Sequence, residues 1–444
     1  MERELYKSLV LWKKSVNRKP LILNGARQVG KTWLLKEFAR CEYTQMAFFS
    51  LDRNEDARNI FEQGGSARHI LLRLSALAAI DITPGDTLLI LDEIQDCPQA
   101  LTALKFFCED LPEIHVAVAG SLLGVSLHEQ TSFPVGKVDI LRLYPLNFNE
   151  FLRATNRGLM ADCLERGDWP DIDAMSRTYI DLLRLYYYVG GMPSVVASFI
   201  KDGNLQKVRN LQNQILADYE QDFSKHAPAN EVPRLKLVWQ SIPSQLAKEN
   251  KKFIYGAIKT GARASSFEIA IQWLQDAGLV YKVKRVNTIK MPLKFYEEFS
   301  AFKLFMLDIG LMGAMVNLPA AASLVKDDIF TEYKGAFTEL FVCSQLQGTN
   351  IPLFYHTVEA SRIEIDFAIQ LGTAVFPLEV KAEENVQSKS LRTFISKNPD
   401  LKGIRISMKP HIKQDWLECF PLYAFREAFE KINLDSYSTP SQPL

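Results

Sequence analysis

Over the first 150 residues, short apolar runs alternate with stretches in which apolar positions recur three and four residues apart. The apolar runs at 20–24, 46–51, 87–92, 115–120 and 138–144 have the length of strands. The segments between them have the period of amphipathic helices. Strands that are apolar throughout, alternating with helices, predict a parallel sheet covered on both faces. Residues 1–16 read as an amphipathic helix leading into this sheet. The helical period returns at 150–165 and 176–225, interrupted by the tight turn Gly190-Gly191-Met192-Pro193. Residues 235–290 read as short helices followed by a hairpin, and 300–430 as mixed helix and strand. The polar stretch 435–444, Asp-Ser-Tyr-Ser-Thr-Pro-Ser-Gln-Pro-Leu, predicts a disordered tail.

A chain of 444 residues exceeds one ordinary core. The pattern predicts five segments: an α/β core at 1–150, a helical segment read as a lid at 151–235, a winged-helix-like module at 236–295, a C-terminal α/β domain at 296–434, and the tail. Lys plus Arg equals Asp plus Glu, 52 each, which excludes a globally basic nucleic-acid binder while leaving local patches open. The six cysteines have no C-x-x-C pair, so zinc and redox motifs are not predicted. The start, Met-Glu-Arg-Glu-Leu, lacks an apolar signal core. The apolar window 302–325 is broken by Lys303, Asp308 and Asn317. Together these predict a cytoplasmic protein without a membrane span.

Residues 25–32, Gly-Ala-Arg-Gln-Val-Gly-Lys-Thr, match the phosphate-binding pattern G-x-x-x-x-G-K-[ST] in full. The run Pro20-Leu-Ile-Leu precedes them and a helical stretch follows, which is the setting the motif needs. Gly25, Ala26, Arg27, Gln28, Val29 and Gly30 would wrap their backbone around phosphates. Lys31 would reach the β- and γ-phosphates of ATP, and Thr32 would give a hydroxyl to Mg²⁺. The run Thr87-Leu-Leu-Ile-Leu ends in Asp92 and Glu93. Asp92 would hold Mg²⁺ beside Thr32, and Glu93 would orient or deprotonate the attacking water. Ser121, ending the next strand, would sense the γ-phosphate or cap the following helix.

The segments 24–32, 91–95 (Leu-Asp-Glu-Ile-Gln), 119–121 (Ala-Gly-Ser), 144–152, 189–193 and 305–311 resemble the AAA-type ATPases (AAA_14) that carry a C-terminal DUF4143 domain. The resemblance covers nearly the whole chain. It implies ATP binding and hydrolysis and says little about biological role. Many relatives have Gly-Arg after the Ser121 strand; this chain has Gly136-Lys137, with Arg142 further along.

Two later segments suggest nucleic acid. Residues 244–285 resemble a winged helix, with Ser265-Ser266 before Phe267, Ile271 and Leu274, and with Lys248, Lys251, Lys252, Lys259, Arg263, Lys282, Lys284 and Arg285 nearby. In 363–369, period two puts Glu364 and Asp366 on one face; in 375–381 it pairs Glu379 with Lys381. A hairpin would bring Asp366, Glu379 and Lys381 together, with Glu339 added from a helix. This D…E-x-K pattern resembles the PD-(D/E)xK nuclease core. That resemblance implies metal binding by Asp366 and Glu379, with Glu339 as an accessory ligand, and a water- or charge-positioning Lys381. The partners implied are ATP, DNA, and a second copy of the chain or another protein. The competing expectation is an ATP-gated interaction switch with an inactive nuclease-like domain.

Overall fold

The computed structural model describes residues 1–121, 133–248, 251–258, 260–261, 263–320, 331–357, 363–382 and 389–438. The chain divides into two compact units: Met1–Tyr144 with Gln272–Leu279, and Pro145–Ile271 with Val280–Leu444.

In the first unit the strands fall within two residues of where the apolar pattern predicts, apart from the last residues of the fifth run. They are β1 (Leu21–Asn24), β2 (Gln45–Ser50), β3 (Thr87–Asp92), β4 (His115–Gly120) and β5 (Asp139–Arg142). All pair in parallel, in the order β2-β3-β4-β1-β5. The central strands β3 and β4 are buried along their whole length. That explains why their sequences are runs of Leu, Ile, Val and Ala with no alternation. Each fully buried Leu or Ile there contributes about 1.5–3 kcal/mol. Helices α1 (Leu5–Lys14), α2 (Lys31–Glu42), α3 (Glu55–Glu62), α4 (Ala67–Ala78) and α5 (Pro98–Asp110) complete the unit. Leu89, Leu91, Val116 and Val118 share a core with Phe61, Leu74, Leu104 and Phe107. Helix starts are set locally: Asn54 caps α3, Ser66 caps α4, and Pro98 opens α5.

The second unit joins a set of helices to an eight-stranded mixed sheet, ordered β12-β13-β11-β10-β9-β8-β6-β7. Its strands are β6 (Val280–Val286), β7 (Glu297–Met306), β8 (Leu353–Thr357), β9 (Glu364–Leu371), β10 (Ala374–Val380), β11 (Gly403–Ser407), β12 (Ile412–Lys413) and β13 (Leu417–Pro421). The hairpin read as a wing is β6–β7. Its first strand also pairs in parallel with β8, so the hairpin is part of the large sheet. The expected boundary at 295/296 therefore falls inside this hairpin. The helical segment read as a lid, 151–235, clusters with this sheet in one unit. The last helix, Phe425–Ser438, runs four residues into the stretch expected to be disordered; 439–444 lie outside the described residues, as does Lys259.

Two of the resemblance-bearing segments meet in this unit. Asp308 caps the helix Ile309–Met315, accepting from the Leu311 N–H at 2.9 Å. Its other oxygen accepts from the Gly191 N–H at 2.7 Å. Gly190 has φ +73°, and a Cβ there would lie 2.4 Å from Asp308 Oδ1. The glycine pair thus permits a close backbone approach as well as a turn. Burial pushes the Asp308 carboxyl up to about 6, against the hydrogen bonds that favour its ionised form.

Candidate functional site

The phosphate loop leaves the sheet at the C-terminal end of β1, where Asn24 pairs in register with Gly120 of β4 and Arg142 of β5. Gly25 has φ +148°, and a Cβ on it would meet the Leu143 carbonyl oxygen at 2.2 Å. Only glycine fits there. Gly30, at φ +95°, turns the chain into α2, whose first residues are Lys31 and Thr32. The loop therefore ends on a helix N-terminus, where unpaired N–H groups and the helix dipole favour an anion. Ala26 and Val29 are buried, and Arg27 is exposed. Gln28 adopts φ +68°.

Lys31 is buried, and its ammonium donates to the carbonyls of Gly25 at 2.9 Å and Ala26 at 2.8 Å. Burial lowers its pKa to about 8, opposed by the carboxylates of Glu93 and Asp92. Thr32 Oγ1 donates to Asp92 Oδ2 at 2.8 Å, so the end of β3 lies against the start of α2. Burial raises the Asp92 carboxyl, offset in part by this hydrogen bond. Glu93 follows in a left-handed conformation, φ +51°, uncommon for a non-glycine residue. Ser121 is buried directly after β4, the strand between β1 and β3.

Lys137 lies elsewhere. It precedes β5, whose first residue pairs with the start of β1, so it sits at the sheet edge opposite the loop. There it forms an ion pair with Glu109 at 2.9 Å. Arg142, by contrast, is exposed at the loop edge of β5.

Two residues that sequence reasoning gave no role also shape this site. Gln95 donates from Nε2 to Glu93 Oε2 at 2.7 Å. Arg3, buried, donates to the Val29 carbonyl at 2.9 Å and the Tyr144 carbonyl at 2.6 Å, clamping the loop from the N-terminus. Gln95 stands in the quoted segment 91–95 and could have been suspected there. Arg3 has no sequence signal.

In the second unit β9 and β10 form the expected antiparallel hairpin. Asp366 and Glu379 stand one step beyond the last registered pair, Leu378 with Phe367. Glu379 is paired with Lys381 at 3.3 Å and Arg405 at 3.9 Å. Asp366 Oδ2 accepts from the Val380 N–H at 2.8 Å. Burial raises the Asp366 carboxyl, and the Glu339 carboxylate adds to that.

The fully buried Lys303 of β7 is decisive here. Its ammonium lies 2.8 Å from Glu364 and 3.3 Å from Glu339, and reaches the Asp366 carbonyl at 3.4 Å. Lys251 makes a second ion pair with Glu339. Burial alone would lower the Lys303 ammonium, but Glu339, Glu364 and Asp366 hold it above its ordinary value. Burial alone would raise Glu339, but Lys251 and Lys303 outweigh it and hold that carboxyl low. Among the described residues, no three His, Cys, Asp or Glu side chains converge as a metal-binding group. The carboxylates expected to bind metal are engaged by protein cations and an amide.

All six cysteines are free thiols, and Cys97, Cys163, Cys343 and Cys419 are buried. No helix among the described residues is long and apolar enough to cross a membrane.

Residues 17–152 match the family model described as an AAA domain. Residues 180–322 and 334–424 match two domains of unknown function, DUF8612 and DUF4143. No curated protein matches the chain. Among solved structures, the Walker-type ATPase PABY2304 of Pyrococcus abyssi is 14% identical, with 71% of this chain and 95% of that one covered and a TM-score of 0.47. The Orc1 protein of Aeropyrum pernix, solved in complex with DNA, is 16% identical, with 73% and 93% covered and a TM-score of 0.27. The RuvB Holliday junction branch migration motor of Thermotoga maritima is 16% identical, with 66% and 91% covered and a TM-score of 0.30. Residues 17–152, which carry the phosphate-loop sequence on a parallel five-stranded sheet, are similar to the AAA domain and resemble P-loop ATPases, and residues 334–424 are similar to the DUF4143 domain.

Proposed function

We propose that this chain binds ATP with Mg²⁺ and hydrolyses it, and that the second unit is an interaction module governed by that cycle rather than a nuclease. The Thr32–Asp92 hydrogen bond at 2.8 Å, beside a lysine whose ammonium donates to the Gly25 and Ala26 carbonyls, carries the first part. Lys31 exchanges two backbone carbonyls for the β- and γ-phosphates, and the amides of Gly25 to Thr32 line the phosphate chain. Thr32 Oγ1 and Asp92 are hard oxygen donors that suit Mg²⁺, which would neutralise phosphate charge when bound. Glu93 orients the attacking water and accepts its proton. Ser121, directly after the strand beside the loop, contacts the γ-phosphate.

Steady-state ATP turnover, with binding of a fluorescent ATP analogue measured separately, tests this. Lys31→Ala should lose both. Glu93→Gln should keep binding and lose about 10²- to 10⁴-fold in kcat. Unchanged turnover in either variant would remove the assignment.

The competing reading is a nuclease with Asp366 and Glu379 as metal ligands, Glu339 as accessory ligand and Lys381 positioning water. What weighs against that role is that Lys303 and Lys251 neutralise Glu339, Lys381 and Arg405 pair with Glu379, and the Val380 N–H is bonded to Asp366. Cleavage of DNA with Mg²⁺ or Mn²⁺, lost in Glu379→Ala, would restore the nuclease.

A further inference from the structure

We propose that the turn end of the β6–β7 hairpin, its connection together with the first residues of β7, binds single-stranded nucleic acid, stacking bases on Phe295 and Phe299. The inference rests on the second unit being an interaction module, and it names that module's partner.

Residues 287–296 connect the two strands. The tip is anchored: Ile289 and Leu293 are buried in the sheet's core, and the Asn287 N–H donates to the Tyr296 carbonyl at 3.0 Å. An anchored loop that buries two of its apolar residues has no internal need to expose others. Yet Phe295 is 84% exposed, Phe299 79% and Met291 50%. Isolated exposed apolar side chains are ordinary, but two nearly bare phenyl rings and a methionine at one hairpin end mark a contact surface.

The charge around them selects the partner. Lys290 and Lys294 are exposed on the same tip, and among the described residues neither has a carboxylate within ion-pair distance. The two acidic residues between these rings, at the start of β7, are neutralised from β6: Glu297 by Lys284 at 2.8 Å and Glu298 by Arg285 at 3.0 Å. Lys284 also lies 4.8 Å from the centre of the Phe299 ring. The tip therefore presents positive charge interleaved with aromatic faces. Stacking platforms beside cations are how proteins hold unpaired bases with little sequence preference. A duplex hides its base faces and would use the lysines alone.

The test is fluorescence anisotropy on the full chain without nucleotide, using labelled oligo-dT, oligo-U and a duplex of equal length. Single strands should bind more tightly than duplex; the oligo-dT and oligo-U arms separate DNA from RNA. Phe295→Ala with Phe299→Ala should weaken single-strand binding by about tenfold or more without lowering the melting temperature. Lys290→Ala with Lys294→Ala should reduce the slope of log affinity against log salt by about 1.4, at about 0.7 for each phosphate that a lysine neutralises. ATP turnover of the double phenylalanine variant, measured in parallel, should match the parent, so failure of the ATPase assignment and failure of this one are distinguishable. The proposal is overturned if single strands do not bind, if the phenylalanine pair proves neutral, or if poly-glutamate binds and oligonucleotides do not.

Discussion

The two units each hold a lysine among acidic residues, and the two arrangements have opposite consequences. Lys31 spends its hydrogen bonds on the carbonyls of Gly25 and Ala26, which a phosphate can replace. Asp92 is bonded to a hydroxyl, itself an oxygen donor to a cation. Lys303 is instead committed to Glu339 and Glu364, with Lys251 closing the other side of Glu339. The first cluster leaves ionic valence open for a ligand. The second satisfies its charges internally.

The largest expected effect that sharpens this contrast is on stability. Lys303→Met would take one of two counter-charges from buried Glu339 and the lysine partner from half-buried Glu364, costing about 3–5 kcal/mol in denaturant unfolding. Adding Glu339→Gln should return part of that loss. A Lys303→Met protein as stable as the parent would break the comparison. The second effect concerns the open cluster and pH. On the proposed function the charged form of Lys31 attracts phosphate, and burial lowers its pKa to about 8. ATP affinity should thus be full below pH 8 and fall by up to about tenfold per pH unit above it. Lys31→Arg should flatten that profile, since a guanidinium stays charged; a flat profile in the parent would place the ammonium outside the phosphate site. The smallest effect concerns Gln95. Removing its 2.7 Å hydrogen bond to Glu93 in Gln95→Ala should lower kcat about two- to tenfold at unchanged KM. A rise in KM instead would make Gln95 a structural support of the loop.

Much of the first unit was legible because its signals are local. Leu88 to Leu91 and Val116 to Ala119 are apolar without alternation because both faces are covered. Gly25 and Gly30 stand where only a backbone without Cβ, or one at positive φ, can turn. The second unit was harder. The β6–β7 hairpin reads as a wing because a hairpin's own pattern is local, whereas its first strand pairs in parallel with β8, far along the chain. The D…E-x-K pattern likewise shows its carboxylates and conceals their neutralisation, since Lys303 and Lys251 come from other elements. The interruption by Lys303 of an otherwise apolar window was visible in the sequence. It argued there against a membrane span, and it also marked a charge that folding must pair.

By itself, the sequence determined the parallel sheet, the phosphate loop and the acidic end of β3, because periodicity, glycine and short-range spacing are properties of neighbouring residues. Only the tertiary structure decided strand order, the placing of Thr32 against Asp92, the clamp by Arg3, and which carboxylates remain available. Those depend on groups far apart in the chain, and whether a buried charge meets a neutral or an opposite partner is settled only when the chain closes around it.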